Sequence, residues 1–154
     1  MKASNIKDWP NQFKAGDWPD KVLDKMDSLV LTEIIFPLRV TSGLPMWPSA
    51  FYSAHIRETG ASQHSIEGGR LSTATDMHVA TIDKMMRVMA LAESMPGVGG
   101  IGIYFNTNTP MLHLDGRKGR LVWLCYEVAE GKPIYLYREN DPIKFYKKLG
   151  ELLA

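Results

Sequence analysis

An α+β fold, with helices packed against one antiparallel sheet, is predicted by three features of this chain. Between Gly99 and Tyr137, four short apolar segments alternate with polar or Gly-rich turns, the pattern of strands. Before and after them, apolar residues recur at helical spacing, in Pro19 to Ile35, Thr81 to Ser94 and Pro142 to Leu153. A length of 154 residues suits one domain with its own hydrophobic core.

The elements follow in order. Residues 1–18 form an N-terminal arm with two echoes, Asp8-Trp9-Pro10 and Asp17-Trp18-Pro19, whose tryptophans are expected to pin it to the domain. Pro19 suits a first helical turn. Val22, Leu23, Met26, Leu29 and Val30 then give an apolar stripe that predicts a helix to Ile35, ending before Pro37. Leu38 to Ser42 alternates and contains β-branched residues, which predicts a strand running into the Gly43-Leu44-Pro45 turn. Pro45 to Thr75 is irregular around one short helix, Ser49 to Arg57, and irregular stretches this long are usually functional. A strand is predicted over Asp76 to Ala80. Thr81 N-caps a helix to Ser94 that buries Ile82, Met85, Met86, Met89 and Ala90, its methionines serving as core. Gly99 to Phe105, Met111 to Asp115, Arg120 to Glu127 and Pro133 to Tyr137 read as an antiparallel meander by their short connections. The last helix opens at Pro142, with Ile143, Phe145, Tyr146, Leu149, Leu152 and Leu153 on its apolar face.

Composition excludes several classes. A formal net charge of +1 with 23% charged residues gives no basic footprint for nucleic acid. Cys125 is the only cysteine, so no intrachain disulfide forms, and its apolar neighbours suggest a buried thiol. No run reaches transmembrane length, so no membrane insertion is expected. Met1 to Asn11 lacks the apolar core of a secretory signal, so synthesis in the cytoplasm is expected. There is no Gly-x-Ser-x-Gly elbow, and Gly97 to Gly102 lacks the lysine of a phosphate-binding loop.

The chemistry concentrates on His64, Asp76 and His113. Two imidazoles and a carboxylate hold one Zn²⁺ and leave a coordination position open for water. Strand alternation places Met111, His113 and Asp115 on one face, and likewise Asp76 with His78, while Met77, Val79, Leu112 and Leu114 turn to the core. His64, on a loop, completes the set. His55 reads as a packing residue rather than a fourth ligand.

At these residues the chain resembles the zinc D-Ala-D-Ala carboxypeptidase and endolysin family, the M15 peptidases, most closely the compact branch common in bacteriophages. The likeness runs from Pro37 to Trp123. Thr41-Ser42-Gly43 is similar to the family's strand end, Ser62-Gln63-His64 to its first ligand motif and Thr73-Ala74-Thr75-Asp76 to its second. Gly99 to Tyr104, Leu112-His113-Leu114-Asp115 and Arg120 to Trp123 are similar to its closing signature. The resemblance implies one Zn²⁺ on His64, Asp76 and His113, the fold shared with the hedgehog signalling domain, and hydrolysis of peptide bonds in peptidoglycan. It also implies a partner for delivery to the cell wall, either a holin or a virion. The alternative expectation is a catalytically inactive, zinc-stabilised structural or wall-binding module.

Three departures from the family pattern bear on activity. The gap between the first His and the Asp is expanded by Ser65 to Ser72, which a flexible loop absorbs at about 0.6 kcal/mol of closure entropy per doubling. Pro110 stands where several branches place an acidic general base, so Asp115 is the first candidate for that role, His78 the second and Glu67 the third. Asp115 is alternatively a residue that orients His113. Leu44-Pro45 replaces the usual carboxylate-binding arginine, leaving Arg39, Arg57 or Arg70 to supply the fork, with Ser62 beside them at the first ligand motif.

Overall fold

The computed structural model describes residues 1–127 and 130–154. Strands β1 (Met46–Pro48), β2 (Ala74–Val79), β3 (Gly100–Tyr104), β4 (Met111–Asp115), β5 (Leu121–Glu127) and β6 (Pro133–Tyr137) form one six-stranded sheet in the order β1-β2-β4-β3-β5-β6. Helices α1 (Val22–Lys25), α2 (Phe36–Ser42), α3 (Ile82–Ser94) and α4 (Pro142–Leu153) complete it. The α+β class is the one read from the sequence.

Alternation along the strands separates two faces. Met77, Val79, Ile101, Ile103, Leu112, Leu114, Val122 and Leu124 are fully buried in one apolar cluster with Leu31, Ile35, Leu38, Met85 and Val88. Each such side chain contributes roughly 1.5–3 kcal/mol by leaving water. Thr81 caps α3 by accepting the Lys84 N–H, and Asp141 caps α4 by accepting that of Lys144, with Pro142 in the first turn. The arm packs its aromatic residues on one helix, with Trp9 and Phe13 against Phe36 at centroid distances of 5.3 and 5.8 Å. The opposite face of the sheet carries the polar residues, brought into line by the register that sets Asp76 opposite His113.

Several expected elements differ. Residues 38–42 are helical, and the edge strand is Met46–Pro48 instead. Leu31, Ile34, Ile35 and Leu38 are all buried at helical spacing, whereas Val40 is exposed, so the stripe outweighs the β-branched residues. Pro37 does not stop this helix. A wide π turn at Val30–Ile35 precedes it and absorbs the missing N–H and the bulk of the ring. The chain turns off only at Gly43, with φ of 65°. Upstream, the expected long helix is broken at Met26 and Asp27, which bridge to Ser72 and Lys2. Ser49 to Arg57 holds a single 3₁₀ turn, Tyr52–Ala54.

The meander is also corrected. β5 does not pair with β4; it lies parallel to β3, on the far side from β4. The link 116–120 must therefore step across the start of β3, a distance of about two strand spacings. Gly99 permits the crossing, because a Cβ there would lie 1.9 Å from the Arg117 carbonyl oxygen. Its backbone also joins both neighbours, with Gly99 N–H donating to Asp115 O at 2.8 Å and Leu121 N–H donating to Gly99 O at 3.0 Å. Connection length alone does not distinguish this crossing from a hairpin.

Gly99→Ala is accordingly expected to destabilise the fold by about 1–3 kcal/mol or more in denaturant unfolding. Gly16→Ala, where a Cβ meets nothing within 4 Å, is expected to be close to neutral.

Candidate metal centre

Asp76 and His113 are cross-strand partners on β2 and β4, and their side chains meet on the polar face. His64 reaches them from the loop above. Its backbone is pinned on both sides: the Arg57 N–H donates to His64 O at 2.9 Å, and the Ser62 hydroxyl accepts the His64 N–H at 3.2 Å. Gln63 is held by Thr73 through both backbone and side chain. The expanded segment 65–72 bulges outward between these fixed ends and turns at Gly68 and Gly69, both with positive φ.

The result is a tight set of three atoms able to ligate a metal ion. His64 Nε2 lies 2.9 Å from His113 Nδ1, and Asp76 Oδ1 lies 3.4 and 3.0 Å from them. A tetrahedral ion with bonds of 2.0–2.1 Å separates its ligands by about 3.3 Å, so this triangle matches the edge of such a site. All three residues are buried, with exposures of 2, 7 and 4% for His64, Asp76 and His113. His64 Nδ1 is buried without a hydrogen-bond partner. This group could hold a metal ion: it is the combination of donors and low polarity that a divalent cation stabilises.

Asp115 orients the cluster. His113 Nε2 donates to Asp115 Oδ2 at 2.7 Å, which turns Nδ1 toward Asp76. The carboxylate in turn accepts the N–H groups of Gly100 and Arg117 and pairs with the Arg117 guanidinium. β3 leaves room for this. A Cβ on Gly100 would lie 2.2 Å from Asp115 Oδ2, and one on Gly102 would lie 2.5 Å from the Trp123 ring, which rests 4.9 Å from the His113 ring.

Electrostatics agree with a site built for positive charge. Burial pushes the Asp76 carboxyl up, but hydrogen bonds from His113 and His64 outweigh it and hold the group well below the usual carboxylate range. Burial pulls His113 down, and its bonds to Asp115 and Asp76 reverse this to a raised value.

The other expected site residues are placed as follows. His78 shares the face of Asp76, stacks on Trp47 and donates Nδ1–H to the Thr109 carbonyl at 3.2 Å. His55 is buried away from the cluster and packs between Thr75 and the Ser49 carbonyl, each at 2.8 Å. Burial lowers its pKa and keeps it neutral. Arg39 lies on α2 and borders neither cavity beside the cluster. Arg70 clamps the loop by donating to the carbonyls of Ser65, Gly60 and Ser62, so its guanidinium is engaged in holding His64 rather than facing a ligand. Ser62 borders the smaller cavity. Asp115 is fully buried behind His113 with both oxygens bonded, which suits the orienting role given as its alternative better than that of a proton acceptor.

Two cavities adjoin the cluster. A smaller one of about 290 Å³ touches His64 and His113 and runs over Trp123 and Tyr137. A larger one of about 630 Å³ touches Asp76 and His78 and reaches the turn 106–109. Their tyrosines, at 104, 135 and 137, were not singled out from the sequence. The signal was present: Tyr135 and Tyr137 alternate with Ile134 and Leu136, and Gly100 and Gly102 leave bare the strand face that Tyr104 shares.

No protein-family model, no curated protein and no solved structure matches this chain. No helix among the described residues is long and apolar enough to cross a membrane.

His64→Ala and His113→Ala are each expected to abolish stoichiometric divalent-metal binding in equilibrium dialysis. Asp115→Asn is expected to keep binding but weaken it by about 10–100-fold. In the metal-free protein, the stability from the His113 pairings is complete below about pH 6.5 and is lost as pH rises through the raised value. Metal binds the deprotonated ring, so the rise in melting temperature on adding metal is expected to be larger at about pH 8 than at about pH 6.

Proposed function

We propose that this protein is a zinc peptidase that hydrolyses peptide bonds of bacterial peptidoglycan, as a phage-type endolysin or carboxypeptidase does. The observation that carries the reading is the buried convergence of His64, Asp76 and His113 between two cavities. Zinc fits the donor set, and when bound it supplies Lewis acidity at the scissile carbonyl and an activated water. The α+β architecture and the motifs of the resemblance support the same assignment. Delivery by a holin or a virion goes with it.

The residues divide the work. Asp115, braced by Arg117, holds the His113 ring in its working orientation. His78 takes the role that Pro110 cannot: its Nδ1–H is engaged by Thr109, so Nε2 is left bare to accept a proton beside Asp76, in the larger cavity. Glu67 sits on the outer loop, accepts the Gly60 N–H and borders neither cavity. Tyr104 borders both cavities. Burial and the Asp76 charge push its phenol up, so it keeps its proton and can donate a hydrogen bond to a substrate oxygen.

A second reading, a zinc-stabilised module without turnover, is favoured by Pro110 and by the engagement of Asp115. Metal content and wall digestion measured on one preparation separate the two. The peptidase reading expects zinc near one equivalent, release of new amino termini from purified peptidoglycan, loss of that release with a chelator and recovery with added zinc. Zinc without release selects the module. His78→Gln is expected to retain zinc and lower kcat by about 10²–10⁴-fold; unchanged kcat removes His78 from the role.

A further inference from the structure

Resting on the peptidase reading, we infer that the bond cut at this site lies inside a peptide chain rather than at its end, and that the chain carries an anionic group close to that bond. The two cavities share part of their lining and are taken together as one trough. His64 and His113 border one half, Asp76 borders the other, and Arg57, Tyr104 and Tyr135 border both. The cluster thus lies in the floor at mid-length, and a chain that fills both halves presents an internal bond to it.

A site that removes a terminal residue needs the trough to stop just beyond the cluster, with a free cation at the stop for the terminal carboxylate. Here the smaller half runs on past the cluster toward Arg117. The Arg117 guanidinium is paired with Asp115 through Nε and Nη2 and lies 5.3 Å from the centre of the Trp123 ring, so its charge is already balanced by a carboxylate of the protein. The larger half opens past Phe51, which is 74% exposed.

Of the two arginines that border the cavities, Arg57 is the one without an ion pair among the described residues, and it borders both. Among the described residues no carboxylate lies within ion-pair distance of it, in contrast to Arg117. Its backbone is committed, with N–H bonded to His64 O and its carbonyl accepting from Ile66, which fixes where the side chain starts. A guanidinium there meets negative charge in mid-chain, beside the bond over the cluster. Beyond it the larger half offers Ser49, Ser53, Asn106 and Asn108, hydroxyls and amides that suit the backbone of an extended peptide.

The zinc-loaded protein incubated with purified peptidoglycan, its products read by mass spectrometry, tests the position of the bond. Fragments of two or more amino acids are expected. Release of free single amino acids alone overturns the inference and leaves the peptidase reading standing, whereas no release of any kind removes both. The charge is tested by binding, without turnover: affinity of the metal-free protein for soluble wall peptides with amidated C-termini is measured by calorimetry. Arg57→Gln, which leaves the backbone bonds in place, is expected to weaken that affinity about tenfold. Equal affinity of the variant overturns the assignment of the anionic group.

Discussion

Two imidazole nitrogens and a carboxylate oxygen held within about a hydrogen bond of one another, out of water, repel unless a proton or a metal ion lies between them. Much of the polar face of the sheet reads as support for that arrangement. The β2–β4 register aligns Asp76 with His113, Asp115 fixes the ring from behind, Arg117 balances Asp115, and Arg70 clamps the loop that presents His64. In the absence of a metal a proton on His113 meets the same demand, which is why its pKa is raised and that of Asp76 is lowered.

The two faces of the sheet divide stability from chemistry. The apolar face is close-packed by the helical stripes, and it holds the strands so that residues on the other face are displayed at fixed spacing. On that other face β3 contributes little but space. Gly100 and Gly102 surrender their side chains to Asp115 and Trp123, which places an orienting carboxylate and an aromatic wall directly against the same histidine. Two glycines thus do as much to shape the candidate site as the groups that would bind an ion.

Local chemistry made much of this readable in advance. β4, β6, α3 and α4 carry strong periodicity and caps, and the alternation along β2 and β4 correctly put the imidazoles and carboxylates on one face with the leucines on the other. What escaped was set by distant packing. The helical state of 38–42 depends on a π turn that makes Pro37 tolerable, and neither propensity nor alternation reports such a turn. The pairing of β5 with β3 depends on a crossing that only the missing Cβ of Gly99 allows. Among the site residues, charge and spacing left Asp115 open between proton acceptor and orienting partner of His113 and gave no sign that Arg70 is occupied by loop carbonyls, because neither reports which neighbours already engage a group.

The outer strands of the sheet have a consequence of their own. Among the described residues β1 pairs only with β2 and closes with Pro48, and β6 pairs only with β5 and opens with Pro133. Each proline subtracts an amide hydrogen from a rim where another chain would otherwise zip on, and β1 is only three residues long. The molecule can therefore keep the polar face of its sheet uncovered while discouraging its own copies from stacking edge to edge into fibrils.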